Sequence, residues 1–266
     1  MEHLFAAWRD FAAACREAPH VLLLSDYDGT LTPIVGRPKD AVLSGAVRDK
    51  LTALTHQPRF SVGIISGRAM NELKALVAIS GIYYAGNHGL EIEGPGLNWV
   101  SPEAETARAT INDLSGQLAA ALQNIAGVIV EDKGLSISVH YRLVKKGEEG
   151  VVAETFKRLT APLVAGGEIK VTTGKKIWEV RPPIDWHKGR AVTSISREIR
   201  SARKLVRVLT VCLGDDATDE DAFRVVRRPD GWSVYVGPGE TSSAAEYFLR
   251  SPAEVEEFLA RLIDLK

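Results

Sequence analysis

Cysteine is nearly absent from this chain: Cys15 and Cys212 are the only two in 266 residues, and their separation makes no metal-binding pattern. Both read as small buried hydrophobes in a reducing compartment. Long apolar runs are missing as well. None approaches the roughly 18 residues that a membrane span requires, so no membrane association is expected. The opening stretch MEHLFAAWRDFAAACREAPH is broken by charges throughout and lacks the continuous apolar core of a signal peptide. A cytoplasmic location is the expectation. An excess of charge of one sign is lacking too: 33 Lys and Arg stand against 34 Asp and Glu, for a net charge of -1. That is no electrostatic footprint for nucleic acid, which is not expected as a partner. No G-x-x-x-x-G-K-[ST] run occurs, which excludes a P-loop nucleotide site.

What is present describes an ordinary globular chain, 45% hydrophobic and 25% charged. Its length suits either one large domain or a core with a second unit inserted. Leu4, Trp8, Phe11 and Cys15 recur at helical spacing and predict an N-terminal helix packed on the domain. Apolar, β-branched runs follow at intervals: VLLLSDYD, FSVGIISGR, IYYAGNHGLEIE, VLTVCLGDD and WSVYVG. Helical patterns such as AVLSGAVRDKLTALTHQ and AMNELKALVAI lie between them. This alternation predicts an α/β fold with a Rossmann-like, mostly parallel sheet covered by helices on both faces. In such sheets ligands gather at the carboxyl ends of strands. Asp26, Ser66, Asn87 and Asp215 each follow a strand-like run.

Between Pro102 and Arg181 the pattern changes to helix, paired strands, helix, paired strands, closed by the proline-broken RPPID. The expected organisation is therefore a core of residues 1–101 and 182–266 with an α+β unit, residues 102–181, inserted into it.

The stretch VLLLSDYDGTLTPI drives a buried strand into two carboxylates, Asp26 and Asp28. Residues i and i+2 of a strand point the same way, so the pair can address one point in space. Gly29 permits a sharp turn and a close ligand. An Asp-x-Asp-Gly turn is the plainer alternative; a calcium loop is excluded because no further oxygen ligands follow at its intervals. IISGR places Ser66 and Gly67 after a second strand, where a hydroxyl and free N–H groups suit an anion, although a helix cap explains them equally well. WHKGRAV sets Lys188 at a helix start, favourable for an anion or simply a solvated lysine. CLGDDATDEDAF packs Asp215, Asp216, Asp219, Glu220 and Asp221 into seven residues. Such density demands a cation or an exposed helix start.

In this order the four motifs resemble those of the haloacid-dehalogenase-like phosphohydrolases. The resemblance implies Asp26 as nucleophile, Asp28 as general acid and base, and Lys188 and Ser66 as further catalytic groups. It implies that Ser66, with the backbone of Gly67, holds a phosphate oxygen. It also implies a Mg2+ cofactor held by Asp26, the main-chain carbonyl of Asp28 and Asp215. Asp216 and Asp219 would stand behind these, Asp219 orienting Lys188 or a water on the metal.

The longer signatures DYDGTLTPI, GNHGLEIE, EDKGLSISVHYR, GKKIWEVRP and GDDATDEDAF are similar to those of the trehalose-6-phosphate phosphatases, from about residue 20 to EVEEFL near the end. This likeness implies hydrolysis of a small sugar phosphate, with the inserted unit acting as a cap, and a functional pairing with a separate trehalose-phosphate synthase. Sugar hydroxyls are matched by charged and amide side chains. The cap strands offer Glu131, Lys133, His140, Arg142, Lys176 and Glu179, for which cross-strand ion pairs are the alternative reading. Arg68, Asn87 and His88, after core strands, complete the expected substrate contacts. The rival activities are a phosphatase for sucrose phosphate or a glycosyl phosphoglycerate, a phosphomutase, and a non-catalytic domain that keeps only the fold.

Overall fold

Apolar β-branched runs become strands and periodic segments become helices in the computed structural model, which describes residues 1–265. Contacts divide the chain into one unit of Met1–Trp99 together with the residues from Trp186 on, and a second of Val100–Asp185. In chain order the first unit begins with β1 (Glu2–His3), α1 (Trp8–Glu17), β2 (Val21–Ser25), α2 (Gly45–Thr55), β3 (Phe60–Ile65) and α3 (Met70–Val77). It continues through β4 (Tyr83–Gly86), β5 (Glu91–Gly94) and β6 (Leu97–Val100). The second unit holds α4 (Pro102–Leu122), β7 (Ile129–Asp132), β8 (Ile137–His140), α5 (Glu149–Ala165), β9 (Lys170–Gly174) and β10 (Ile177–Arg181). The first then resumes with α6 (Lys188–Arg203), β11 (Leu209–Gly214), α7 (Glu220–Val225), β12 (Gly231–Val236), β13 (Tyr247–Leu249) and α8 (Pro252–Ile263).

Nine strands form the first unit's sheet, in the order β1-β13-β12-β11-β2-β3-β4-β5-β6. From β1 to β4 every neighbour is parallel, and β5 turns back antiparallel on β4. The run VLLLS is buried at all five positions because helices cover both of its faces. Val21 and Leu23 pack with Phe11, Leu51 and Phe258, whereas Leu22 and Leu24 pack with Ala191, Ile195 and Phe223. Burying each such leucine stabilises the fold by roughly 1.5–3 kcal/mol. The fold is thus the expected mostly parallel α/β sheet with helices on both sides.

One local expectation needs correction. The N-terminal helix starts at Trp8 and does not include Leu4; Glu2 and His3 instead pair in parallel with Tyr247 and Phe248. Leu4 is buried all the same. The run IYYAGNHGLEIE forms two strands, β4 ending just before Asn87 as its position after a strand-like run implied. Asn87, His88 and Gly89 have φ of 49°, 57° and 91°, which reverses the chain between β4 and β5.

The second unit is a four-stranded antiparallel sheet, β7-β8-β10-β9. It has a core of its own, in which Ile111 and Leu118 meet Val139, Phe156 and Val180. Trp178 stacks between Tyr141 and Phe156, at centroid distances of 4.1 and 4.7 Å. Where the first unit breaks off and resumes, Trp99 and Trp186 stack on each other, 4.6 Å apart and 27° from parallel.

Candidate active site

Strand order decides which polar residues meet. β2 lies between β11 and β3, so the residues after their carboxyl ends come side by side. Asp26 N–H donates to Leu213 O at 2.9 Å and Ser66 N–H to Ala85 O at 2.9 Å, which extends the ladder one step past the strands. The chain after Asp26 is then held by a tight turn. Gly29 N–H donates to Thr32 O, Leu31 and Thr32 N–H both donate to Tyr27 O, and the Tyr27 hydroxyl donates to Ala41 O.

Asp26, 7% exposed, accepts a hydrogen bond on Oδ1 from Lys188 Nζ at 2.6 Å. The same ammonium donates to Asp219 Oδ1 at 2.7 Å. Lys188 is the first residue of α6 and is buried, where an unpaired charge would be prohibitive. Burial opposes its charge, but Asp219 and Asp26 more than compensate, so it stays protonated far into alkali. Asp219 Oδ2 accepts from the N–H groups of Asp215 and Asp216 at 3.1 and 3.2 Å. Asp216 caps its own turn by accepting from the Thr218 N–H and hydroxyl. Thr30, a residue that sequence reasoning passed over, donates its hydroxyl to Asp215 Oδ1 at 3.2 Å.

The carboxylates repel one another. Burial pushes Asp26 well above the usual carboxylate range against the pull of Lys188, and the charges of Asp219, Asp215 and Asp216 push it further. Burial, then Asp216 and Asp219, push Asp215 up to about 7. Burial raises Asp219 to about 6, with Lys188 pulling the other way. Asp216 is lowered: burial resists, but Lys188 and the Thr218 hydrogen bonds prevail. One ammonium thus serves a cluster that wants more positive charge.

The cluster fits a hard divalent cation. Asp26, Asp215 and Asp219 each bring an oxygen within 4.8 Å of the others, and an all-oxygen donor set suits Mg2+ or Ca2+ rather than a thiolate-seeking metal. Both oxygens of Asp219 already accept bonds from Lys188 and two backbone N–H groups, so Asp26 and Asp215 are the better ligands and Asp219 the positioner. Gly29 keeps the space beside them clear. A Cβ there would stand 2.1 Å from Asp215 Oδ2, and its φ of +83° disfavours any other residue.

Other predicted residues are placed differently. Asp28 does not join the Lys188 cluster: Arg68 donates to its two oxygens, Nε and Nη2 each at 2.7 Å. Arg68 also donates to Pro38 O at 2.7 Å and to Glu72, and it is only 5% exposed. Arg68, expected to touch substrate, thus has its fork engaged in fixing Asp28. Asn87, also expected to touch substrate, is 1% exposed and donates its amide to Glu91 Oε1 at 2.7 Å. The backbone N–H groups of Asn87 and His88 donate to Arg68 O and Ser66 O, clamping the Ser66–Arg68 loop. The His88 imidazole lies on Gly67, where a Cβ would come within 2.6 Å of it. Ser66 Oγ accepts from Arg68 N–H at 3.3 Å.

Within the second unit charged residues meet both across strands and, for Arg181 and Glu179, along β10. His140 Nε2 and Glu131 Oε2 are 3.0 Å apart, Lys133 Nζ and Glu179 Oε1 3.6 Å, and Arg181 grips Glu179 Oε2. Lys176 and Arg142 lie apart from this group. Lys176 sits in the turn before β10 with φ +64° and pairs with Glu149 Oε2 at 2.6 Å, and Arg142 donates to Lys175 O at 3.3 Å.

A sheet of this order, ending in an Asp beside a buried Lys and an acidic loop, defines a haloacid dehalogenase-like hydrolase fold. A haloacid dehalogenase-like hydrolase from Bacteroides thetaiotaomicron superimposes on the chain with a TM-score of 0.58 at 16% identity, covering 91% of this chain and 99% of that one, a likeness of fold alone. Residues 24–253 match the trehalose-phosphatase family, and the chain belongs to it. Probable trehalose-phosphate phosphatase D of Arabidopsis thaliana is 33% identical over 264 residues, 96% of this chain and 70% of the relative. The C-terminal domain of trehalose-6-phosphate phosphatase from C. albicans superimposes with a TM-score of 0.78 at 26% identity, covering 97% of each chain. The chain is accordingly a phosphoric monoester hydrolase.

Proposed function

We propose that this enzyme hydrolyses trehalose 6-phosphate to trehalose and phosphate, with Asp26 as the attacking group and Mg2+ as cofactor. One observation carries the mechanism: a buried carboxylate at a strand end has one oxygen fixed by Lys188 at 2.6 Å, which orients the other for attack. Asp26 Oδ2 bonds to phosphorus as the bond to the sugar oxygen breaks, and Asp28 gives that oxygen its proton. Asp28 then takes a proton from the water that cleaves the aspartyl-phosphate, which frees phosphate and restores Asp26. Both Asp28 oxygens accept from Arg68, so Asp28 has to release one of these bonds and take up a proton from solvent on the freed oxygen before it can serve as the acid. Ser66 Oγ and the Gly67 N–H steady a phosphoryl oxygen.

Attack by a carboxylate on a phosphate dianion meets repulsion of about 4 kcal/mol per charge pair at ~4 Å and an effective dielectric near 20. Lys188 offsets part of this. A Mg2+ held by Asp26, the Asp28 main-chain carbonyl and Asp215 supplies the remaining positive charge when bound, with Asp216 and Asp219 supporting it. The inserted unit is the proposed cap, with Glu131, Lys133, His140 and Glu179 as its sugar-reading group. A separate trehalose-phosphate synthase is the proposed source of substrate. The cytoplasm is the proposed compartment, in keeping with two free, buried thiols.

Phosphate release from a panel of sugar phosphates, with and without Mg2+, tests the reading. Trehalose 6-phosphate should be the preferred substrate, and Asp26→Asn should lower kcat by about 10³-fold or more. Hydrolysis of glucose 6-phosphate at an equal rate would defeat the sugar assignment. Full turnover in chelator would defeat the metal.

A further inference from the structure

At the opposite end of the sheet from Asp26 lies a cleft of about 240 Å³, formed where α6 and α7 end and β11 and β12 begin. Arg200, Arg207 and Arg227 all line it, with Asp230 the one acidic residue among the lining side chains. The surrounding sequence is strongly basic in a chain whose charges balance overall. Arg197, Arg200, Arg203, Lys204 and Arg207 fall within eleven residues that contain a single acid, Glu198. Arg224, Arg227 and Arg228 add to the same end of the fold.

Three arginines against one aspartate leave the cleft with a net charge of +2. Arg207 meets Asp230 at 3.5 Å, a pair with both side chains about half exposed. A pair of that kind is worth little in water. Arg200 and Arg227 have no ion-pair partner among the described residues. Ser196 contributes a hydroxyl, and Val226 gives an apolar floor. Guanidinium groups recognise phosphate oxygens through paired, charge-assisted hydrogen bonds. A concave site with two uncommitted guanidiniums suits a ligand that carries two linked anionic groups and fits inside it, whereas a flat basic face would suit a long polymer.

We infer that this cleft is a second anion-binding site, separate from the catalytic centre, which takes a small diphosphate-type ligand. Arg200 stands twelve residues along α6 from Lys188, roughly 18 Å at 1.5 Å per residue, so one bound anion cannot occupy both places. The cleft nevertheless touches the far ends of the elements that present Lys188, Asp215 and Asp219.

Calorimetric titration of inorganic pyrophosphate into the full chain, at low ionic strength and without divalent cations, tests the inference. One saturable site is expected in the natural protein. Arg200→Gln combined with Arg227→Gln should weaken it by roughly ten-fold or more, while phosphatase turnover measured without pyrophosphate stays unchanged. Arg9→Gln combined with Arg250→Gln removes the same charge from exposed arginines outside the cleft and should leave the affinity intact. Three results would overturn the assignment: no saturable binding; equal affinity in the cleft variant, which would place pyrophosphate at the catalytic centre; or an equal loss in the control variant. Tighter binding of a single-stranded oligonucleotide than of pyrophosphate would likewise reject a small ligand.

Discussion

Gly29 shows how narrowly single positions are fixed near the carboxylates. Its φ of +83° and the 2.1 Å gap from a built Cβ to Asp215 Oδ2 mean that Gly29→Ala must displace either the turn or Asp215. We expect Gly29→Ala to lower kcat by about ten-fold or more, with a smaller effect on the thermal midpoint; unchanged kcat would show that Asp215 has room to move. His20 offers a pH test away from the site. It is 1% exposed, its Nε2 is 2.9 Å from Ser61 Oγ, and burial, with Arg203 and Arg59, pushes its pKa down to about 4. The unfolded chain binds this proton near pH 6.5 and the folded chain does not, so His20 contributes stability above pH 6.5 that is lost as the pH falls toward 4, by up to about 3 kcal/mol. His20→Gln should flatten the fall in urea midpoint across that window, and parallel pH profiles would refute the assignment. Asp26, Lys188, Asp215 and Asp219 stood out in the sequence through the resemblance of their motifs to those of the haloacid-dehalogenase-like phosphohydrolases; position alone left a turn, a solvated lysine and an exposed acidic helix start open. The destinations of Arg68 and Asn87 could not be read that way. No spacing reveals that a guanidinium forty residues on fits both oxygens of Asp28, or that Glu91 accepts the Asn87 amide.

Elements deliver the site by where they start and stop. α6 begins at Lys188 and α7 follows Asp219, so residues far apart in sequence share one buried ion pair. α2 plays no part in that chemistry, and its boundary is set by Ser44, whose Oγ accepts from Val47 N–H at 3.1 Å. Ser44→Ala should cost about 1 kcal/mol in chemical denaturation and leave kcat untouched; a loss of activity without loss of stability would contradict this. Apolar runs and helical periodicity foretold β2, β3, β11, β12 and the helices between them. They carry no signal where backbone angles, not side-chain pattern, make the turn. The reversal at Asn87–Gly89 uses two non-glycine residues with positive φ, and the β1–β13 pairing joins segments some 240 residues apart through only two residues each.

For the molecule as a whole, the helix–strand-pair–helix–strand-pair pattern between Pro102 and Arg181 suggested an inserted unit because its periods differ from those of the flanking chain, and contacts group Val100–Asp185 as a unit. Each unit has its own apolar core. The nine-stranded sheet is completed without any strand from β7 to β10, and Asp26 and Asp219, which bond Lys188, both belong to the first unit. Nothing in strand spacing could show that Lys133 faces Glu179 across β8, since that depends on the β8–β10 register.

The stacked indoles of Trp99 and Trp186 turn the point of insertion into a closed seam. A chain from which residues 100–185 are excised and replaced by a short glycine-serine bridge should fold around that seam. It should still release phosphate from an undemanding aryl phosphate, with discrimination among sugar esters gone. Circular dichroism and a colorimetric assay would read the result, and an insoluble product would mean that the seam does not hold by itself.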